Sequence, residues 1–139
     1  LLGALIPVSG ALSSTGGSAL MANGILQLTS GLPAVVVVGL VMVATMCLSD
    51  VINNAATALV MAPVAVQIGT ALNASPDPFL MAVAVGASCA FLTPIGHQSN
   101  ALVMGPGGYH FGDYWRMGLP LEILIVVVAT PLILVVWPL

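Results

Sequence analysis

Polar residues gather between apolar runs that are each short or interrupted, and this alternation predicts a set of membrane helices with breaks in them. Leu1 to Ile6 reads as the end of a hydrophobic helix, broken at Pro7-Val8-Ser9-Gly10. Residues 11–31 mix aliphatics with Ser13, Ser14, Thr15, Ser18, Asn23, Gln27 and Thr29, a balance that suits an interfacial segment. Pro33 opens the run Ala34 to Leu48, about 15 residues or roughly 22 Å of helix, too short to cross comfortably. After Ser49-Asp50-Val51-Ile52 comes a polar island, Asn53-Asn54-Ala55-Ala56-Thr57, and then a second apolar run from Ala58 to Leu72. Two short helices meeting at a polar tip predict a re-entrant hairpin over 33–72.

Asn73-Ala74-Ser75-Pro76-Asp77-Pro78 is a turn-rich connector expected at a membrane surface. Phe79 to Leu92 is apolar and rich in small residues, which favours close helix packing. It stops at a second island, Thr93-Pro94-Ile95-Gly96-His97-Gln98-Ser99-Asn100, after which Ala101 to Met104 is apolar again. The pattern over 79–104 predicts a discontinuous helix. Residues 105–118, with Tyr109, His110, Phe111, Asp113, Tyr114, Trp115 and Arg116, read as an interfacial loop, and 119–139 as a final transmembrane helix.

Composition turns this pattern into a class. Of 139 residues, 60% are hydrophobic and 4% charged, and the mean hydropathy is +1.19, far too little charge to cover a soluble domain of this size. The fold class expected is an all-α integral membrane protein with a re-entrant hairpin and a broken helix. One arginine cannot neutralise a phosphate backbone, so nucleic acid is excluded as a partner. Cys47 and Cys89 lack the spacing of a zinc site or a disulfide framework and read as buried free thiols. Gly105 to Gly108 lacks the ending of a phosphate loop, and no nucleophile and base are spaced as in an enzyme. The chain begins at Leu1 without a signal-peptide pattern and reads as a piece of something longer. Arg116, the sole positive side chain, favours the cytoplasmic side for its loop in a multi-pass protein of the cell inner or plasma membrane.

The islands carry the candidate chemistry. Unpaired amides, hydroxyls and an imidazole at membrane depth are tolerated mainly beside a ligand, an ion or water. Interrupted helices with polar tips are also how secondary transporters build their sites: half-helix N-termini face an anion and unwound carbonyls coordinate Na⁺. Asn53 and Asn54 can each donate and accept, so one tip can serve an anionic oxygen and a cation. Asp50, one turn earlier, reads equally as an ion or proton relay or as a structural hydrogen-bonding group in the hairpin. Asp77, Asp113 and Arg116 are read as solvated interface charges, and Glu122 as a carboxylate near a helix start, where the dipole favours it.

The residues from Leu48 to Tyr109 resemble the second half of the divalent-anion:sodium symporter family, the citrate-transporter-like carriers of dicarboxylates, citrate and sulfate. Where that family has a Ser-Asn-Thr triplet at a hairpin tip, this chain has Asn53-Asn54-Ala55, followed by Ala56-Thr57-Ala58 and Pro63. The family's Ala-Ser-Cys-Ala-Phe run stands unchanged at Ala87-Ser88-Cys89-Ala90-Phe91, and its later Thr-Pro-Pro-Asn falls on His97-Gln98-Ser99-Asn100 with only the Asn kept. The second island together with Gly105-Pro106-Gly107-Gly108-Tyr109 is most similar to bacterial and algal permeases that often carry TrkA-C-type regulatory domains.

The resemblance implies one inverted repeat of a symporter for small divalent anions such as sulfate or di- and tricarboxylates, working by alternating access. Na⁺ is the coupling ion it implies, with H⁺ the lesser alternative, and no other cofactor or metal. It assigns substrate binding to Asn53, Asn54, His97, Gln98, Ser99 and Asn100, and Na⁺ binding to Asn54, Ala55, Thr57, Thr93, Gly96 and Asn100. The expected partners are the anion, Na⁺, the lipid bilayer, an N-terminal half of the same transporter and a second copy in a homodimer. Alone, one repeat lacks half of the site and is not expected to transport. Ala55 and His97-Gln98 depart from the family pattern, which points to a difference in substrate. Two other readings stand beside this one: a non-transporting helical scaffold whose islands only join helices, and a related oxyanion exporter or Na⁺/H⁺ antiporter.

Overall fold

The computed structural model describes residues 2–29 and 31–139; Leu1 and Ser30, which belong to two of the predicted segments, lie outside the described residues. Among the described residues the chain forms seven α-helices and no strand: α1 Leu2–Ser14, α2 Gly17–Leu28, α3 Ala34–Ser49, α4 Asn54–Ala71, α5 Asp77–Ala87, α6 Gln98–Met104 and α7 Phe111–Val136.

Several boundaries differ from those expected, each for a local reason. The break predicted at Pro7 does not occur, and α1 runs through it to Ser14. Pro7 lies in the middle of the helix, where its missing N–H removes one bond to the Gly3 carbonyl, and Ser9 Oγ donates to Leu59 O of α4 at 2.6 Å, holding the following turn in place. Residues 11–31 are not one segment: Gly16, at φ +78°, turns the chain between α1 and α2. The 105–118 stretch is a loop only to His110, because Asp113 Oδ2 accepts the His110 N–H at 2.8 Å and closes the first turn of α7. Arg116 therefore sits inside a 26-residue helix of about 39 Å rather than in a loop.

The core is a three-helix contact. Val37, Val38, Val41, Met42 and Met46 of α3 meet Met61, Val64, Ala65 and Ile68 of α4, and Phe79, Ala82 and Val83 of α5, all buried. Over 33–72 the two helices are joined by residues 50–53 and touch one another, but α5 lies against both and packs on each more extensively than they pack on one another. Small residues allow this. A Cβ on Gly86 of α5 would stand 2.8 Å from the Met42 carbonyl oxygen and 3.0 Å from Thr45 Cβ, so the α3–α5 crossing requires glycine.

α2 packs on α4, with Gln67 Nε2 donating to the buried Ser18 Oγ at 2.7 Å. α7 covers parts of α3 and α5 and leaves a long apolar face outward, including Leu119, Ile123, Leu124, Val127 and Val128. Such a face is an aggregation liability in water and an ordinary surface in lipid. Among the described residues two helices, Asn54–Ala71 and Phe111–Val136, are long and apolar enough to cross a membrane, while α3 and α5 are shorter.

A joint between a helix tip and an unwound segment as the candidate functional site

Residues 88–97 separate α5 from α6 without regular structure, so their backbone groups need partners from elsewhere in the fold. The α3–α4 tip supplies one of them, for the Leu92 N–H, and two further bonds that fasten the segment and the end of α5. Asp50 Oδ1 accepts the Leu92 N–H at 3.0 Å, and its main-chain carbonyl accepts the Thr93 hydroxyl at 2.7 Å. Ser49 Oγ lies 2.8 Å from the Ala87 carbonyl and 3.0 Å from Asn54 Oδ1. A hydroxyl has one proton, so the two contacts are satisfied together when it donates to Ala87 and the Asn54 amide presents its NH₂ instead. Asp50 was read from the sequence as a relay or as a bond within the hairpin; its carboxylate reaches the unwound segment instead, 42 residues along the chain.

The first island is in part closed on itself. Asn53 Oδ1 accepts the Ala56 N–H at 2.9 Å and caps α4, which leaves the Asn53 amide NH₂ exposed at the positive end of that helix. Asn54 and Ala55 are half-buried in the first turn, and Thr57 is fully buried with its hydroxyl unpartnered. In the second island, Thr93 Oγ1 accepts the Gly96 N–H at 3.1 Å while donating to Asp50. Gly96 is buried so tightly that a Cβ there would stand 2.7 Å from Ala90 Cβ, 3.0 Å from the Ser49 carbonyl oxygen and 3.1 Å from Asp50 Cα. Asn100 Nδ2 donates to Ala90 O at 2.9 Å and Thr93 O at 3.2 Å, bridging both ends of the bend. His97 Nδ1 accepts the Ser99 N–H at 3.2 Å, and His97, Gln98 and Ser99 are exposed.

Thr93 and Gly96 thus abut Ser49 and Asp50, and the two islands share one joint. Asn53 and His97 each bond within their own helix start and are not linked to one another by side-chain hydrogen bonds among the described residues. Two groups were not read as part of the site. Glu122 is not near a helix start, since α7 begins at Phe111; it is buried in mid-helix, and its Oε1 accepts the Phe91 N–H at 3.4 Å. Tyr114 donates its hydroxyl to the Asn100 carbonyl at 2.7 Å. The available signal for Glu122 was its isolation, one carboxyl in an otherwise uncharged apolar run.

Among the described residues three buried side-chain oxygens have no partner: Asp50 Oδ2 at this joint, Thr57 Oγ1 in the first turns of α4, and Thr130 Oγ1 in α7. Oxygen donors of this kind suit a hard cation, whereas no cluster of three or more His, Cys, Asp or Glu that would hold a transition metal occurs among the described residues. Beside the joint a cleft of about 500 Å³ opens between α6 and α7, bordered by Phe91, Ser99, Asn100, Tyr114 and Gly118.

Interrupted apolar helices around a polar centre define a membrane transporter, and comparison with known proteins agrees. The whole chain, residues 1–139, matches the citrate transporter family, and the chain belongs to that family. It is 36% identical over 138 residues to the uncharacterized transporter YfbS of Escherichia coli (strain K12), covering 99% of this chain and 23% of that protein. It is 33% identical over 132 residues to sodium/sulfate cotransporter 2 of Chlamydomonas reinhardtii, covering 92% of this chain and 15% of that protein. With the sodium-dependent dicarboxylate transporter SdcS of Staphylococcus saprophyticus the identity is 28% over 103 residues, 74% of this chain and 20% of that protein. The chain spans less than a quarter of the length of these relatives. It is a membrane protein of a transporter family, not of an enzyme family.

Proposed function

We propose that this chain is the C-terminal repeat of a secondary transporter that carries small divalent anions, such as sulfate or di- and tricarboxylates, together with Na⁺ by alternating access. The observation that carries the reading is the joint itself. A capped helix N-terminus and an unwound segment are fastened to one another at Ser49, Asp50, Thr93 and Gly96, which is the arrangement in which helix dipoles and freed carbonyls serve an anion and a cation side by side. In this reading Asn53, Asn54, His97, Gln98, Ser99 and Asn100 face the anion. Na⁺ is held by oxygens around Asn54, Ala55, Thr57, Thr93, Gly96 and Asn100.

Two relatives lend it support, since their names specify sodium with sulfate and sodium with dicarboxylate. The unpartnered carboxylate oxygen of Asp50, a charged group at the joint itself, also favours it over a scaffold, in which such a group would be paired with a neighbouring helix. The segment from α3 to α4 acts as the re-entrant element, an N-terminal half of the same carrier supplies the opposite tip, and the working form is a homodimer in the cell membrane with the Arg116 end of α7 on the cytoplasmic side.

Uptake of labelled sulfate and of a dicarboxylate by the full-length carrier tests this directly. Asn54→Ala and Asn100→Ala are each expected to lower uptake by about tenfold or more, the usual consequence of removing a buried polar contact to a charged ligand. Unchanged uptake in both variants would sink the assignment. Flux that ignores Na⁺ and follows a proton gradient would move the protein to the exporter or antiporter class.

A further inference from the structure

α7 touches the unwound segment and the first turn of α6 through three residues spaced four apart. Tyr114 donates to the Asn100 carbonyl at 2.7 Å, a Cβ on Gly118 would collide with the Phe91 carbonyl group, and Glu122 accepts the Phe91 N–H at 3.4 Å. Residues at this spacing lie on one helical face, so a single stripe of α7 runs along the break. Asp50 takes the adjacent Leu92 N–H from the other side. Two consecutive amides that no helix satisfies are therefore held by carboxyl groups on two separate elements.

We infer that the Tyr114–Gly118–Glu122 stripe is a splint that sets the shape of residues 88–100, making Tyr114 and Glu122 positioning residues for the anion site; this rests on the functional reading above. The physical reason lies in what each contact holds. Asn100 bridges the bend through its side chain, whose two N–H protons go to Ala90 O and Thr93 O, and its own carbonyl is anchored by Tyr114, so the residue that closes the bend beside the proposed anion site is fixed from α7. Close approach at Gly118 brings Glu122 within reach of Phe91; a side chain at 118 would push the helix away. The main core of α3, α4 and α5 is formed largely without these three residues, so the splint can be removed while the core stays packed.

Cys89 offers a readout that does not depend on transport, because its thiol is buried at the start of the same segment, 6% exposed. In the full-length carrier with Cys89 as the sole cysteine, Glu122→Ala and Tyr114→Phe should each raise maleimide labelling of Cys89 about fivefold or more. Each should also raise the KM for sulfate by a similar factor, leaving Vmax within about twofold. Glu122→Gln, which keeps a carbonyl acceptor for the Phe91 N–H, should recover most of both effects. Tyr114→Phe removes one oxygen from a half-buried ring and leaves folding intact, so it decides the matter even where Glu122→Ala fails to fold. Labelling and KM that stay at parental values in Tyr114→Phe and in a folded Glu122→Ala overturn the splint. A parent that carries neither sulfate nor dicarboxylate refutes the anion reading, and the labelling rates then decide the splint alone.

Discussion

At the tip between α3 and α4, Asn53 closes its own helix with a bond three residues long; across the joint, Phe91 and Leu92 give their N–H groups to carboxyl groups 31 and 42 residues away. The first island is built from local capping chemistry that any isolated helix could use. The approach to the second has local bonds of its own but is also held by Asp50 and Glu122 at residues 91 and 92 and by Tyr114 at Asn100, groups far away in the chain. Both islands are polar interruptions of apolar chain, yet one is an ordinary helix start and the other a segment held open. Structural damage at the first should be small and local. At the second it should be large and should spread from whichever element lets go.

The largest effect is expected from Asp50→Ala. It leaves the Leu92 N–H without an acceptor in a dry site, at a cost of roughly 3 kcal/mol. Thermal unfolding of the purified carrier in detergent measures this, and Asp50→Asn, which retains an acceptor oxygen, should recover more than half. If the Asn variant is no more stable than the Ala variant, the bond to Leu92 is not what holds the joint.

Next comes Gly96→Ala. Its methyl group would press on Ala90 and on the backbone of Ser49 and Asp50, and such overpacking costs about 1–3 kcal/mol. The same melting experiment should show a loss smaller than that of Asp50→Ala but clear. Wild-type stability for this variant would mean that tip and break do not meet as closely as described.

The smallest effect belongs to the tip. Asn53→Ala removes a cap and should lower stability by about 1 kcal/mol, while Asn53→Ser keeps a capping oxygen and should lose only a few tenths. Because Asn53 is also proposed to face the anion, Asn53→Ser should restore the melting temperature and not the uptake. A single curve in which stability and uptake recover together would reduce Asn53 to a cap. If Asn53→Ala proved as damaging to stability as Asp50→Ala, the contrast between the islands would be gone.

Much of this could be read along the chain, and the misreadings have a common form. The helical class, the connector expected at 73–78 and found at 72–76 with Asp77 and Pro78 opening α5, and the position of both islands follow from hydropathy and from Pro and Gly, which act over a few residues. Pro7 and the 105–118 stretch depart from the pattern because a break signal does not carry its surroundings: Ser9 is tied to α4, and Asp113 closes a helix start inside a polar, aromatic stretch. Glu122 was misplaced for the same reason, since its distance from the helix start depended on that unseen turn.

The sequence by itself determined that this is a helical membrane protein with two costly polar interruptions, because apolar length and the price of an unpaired polar group in lipid are properties of the chain alone. Tertiary structure decided that α5 packs on both α3 and α4, that Gly96 sits against Ser49 and Asp50, and that one stripe of α7 anchors the break. The physical reason is that a buried N–H or carbonyl must find some partner, but which one is chosen by the elements that packing brings within 3 Å or so.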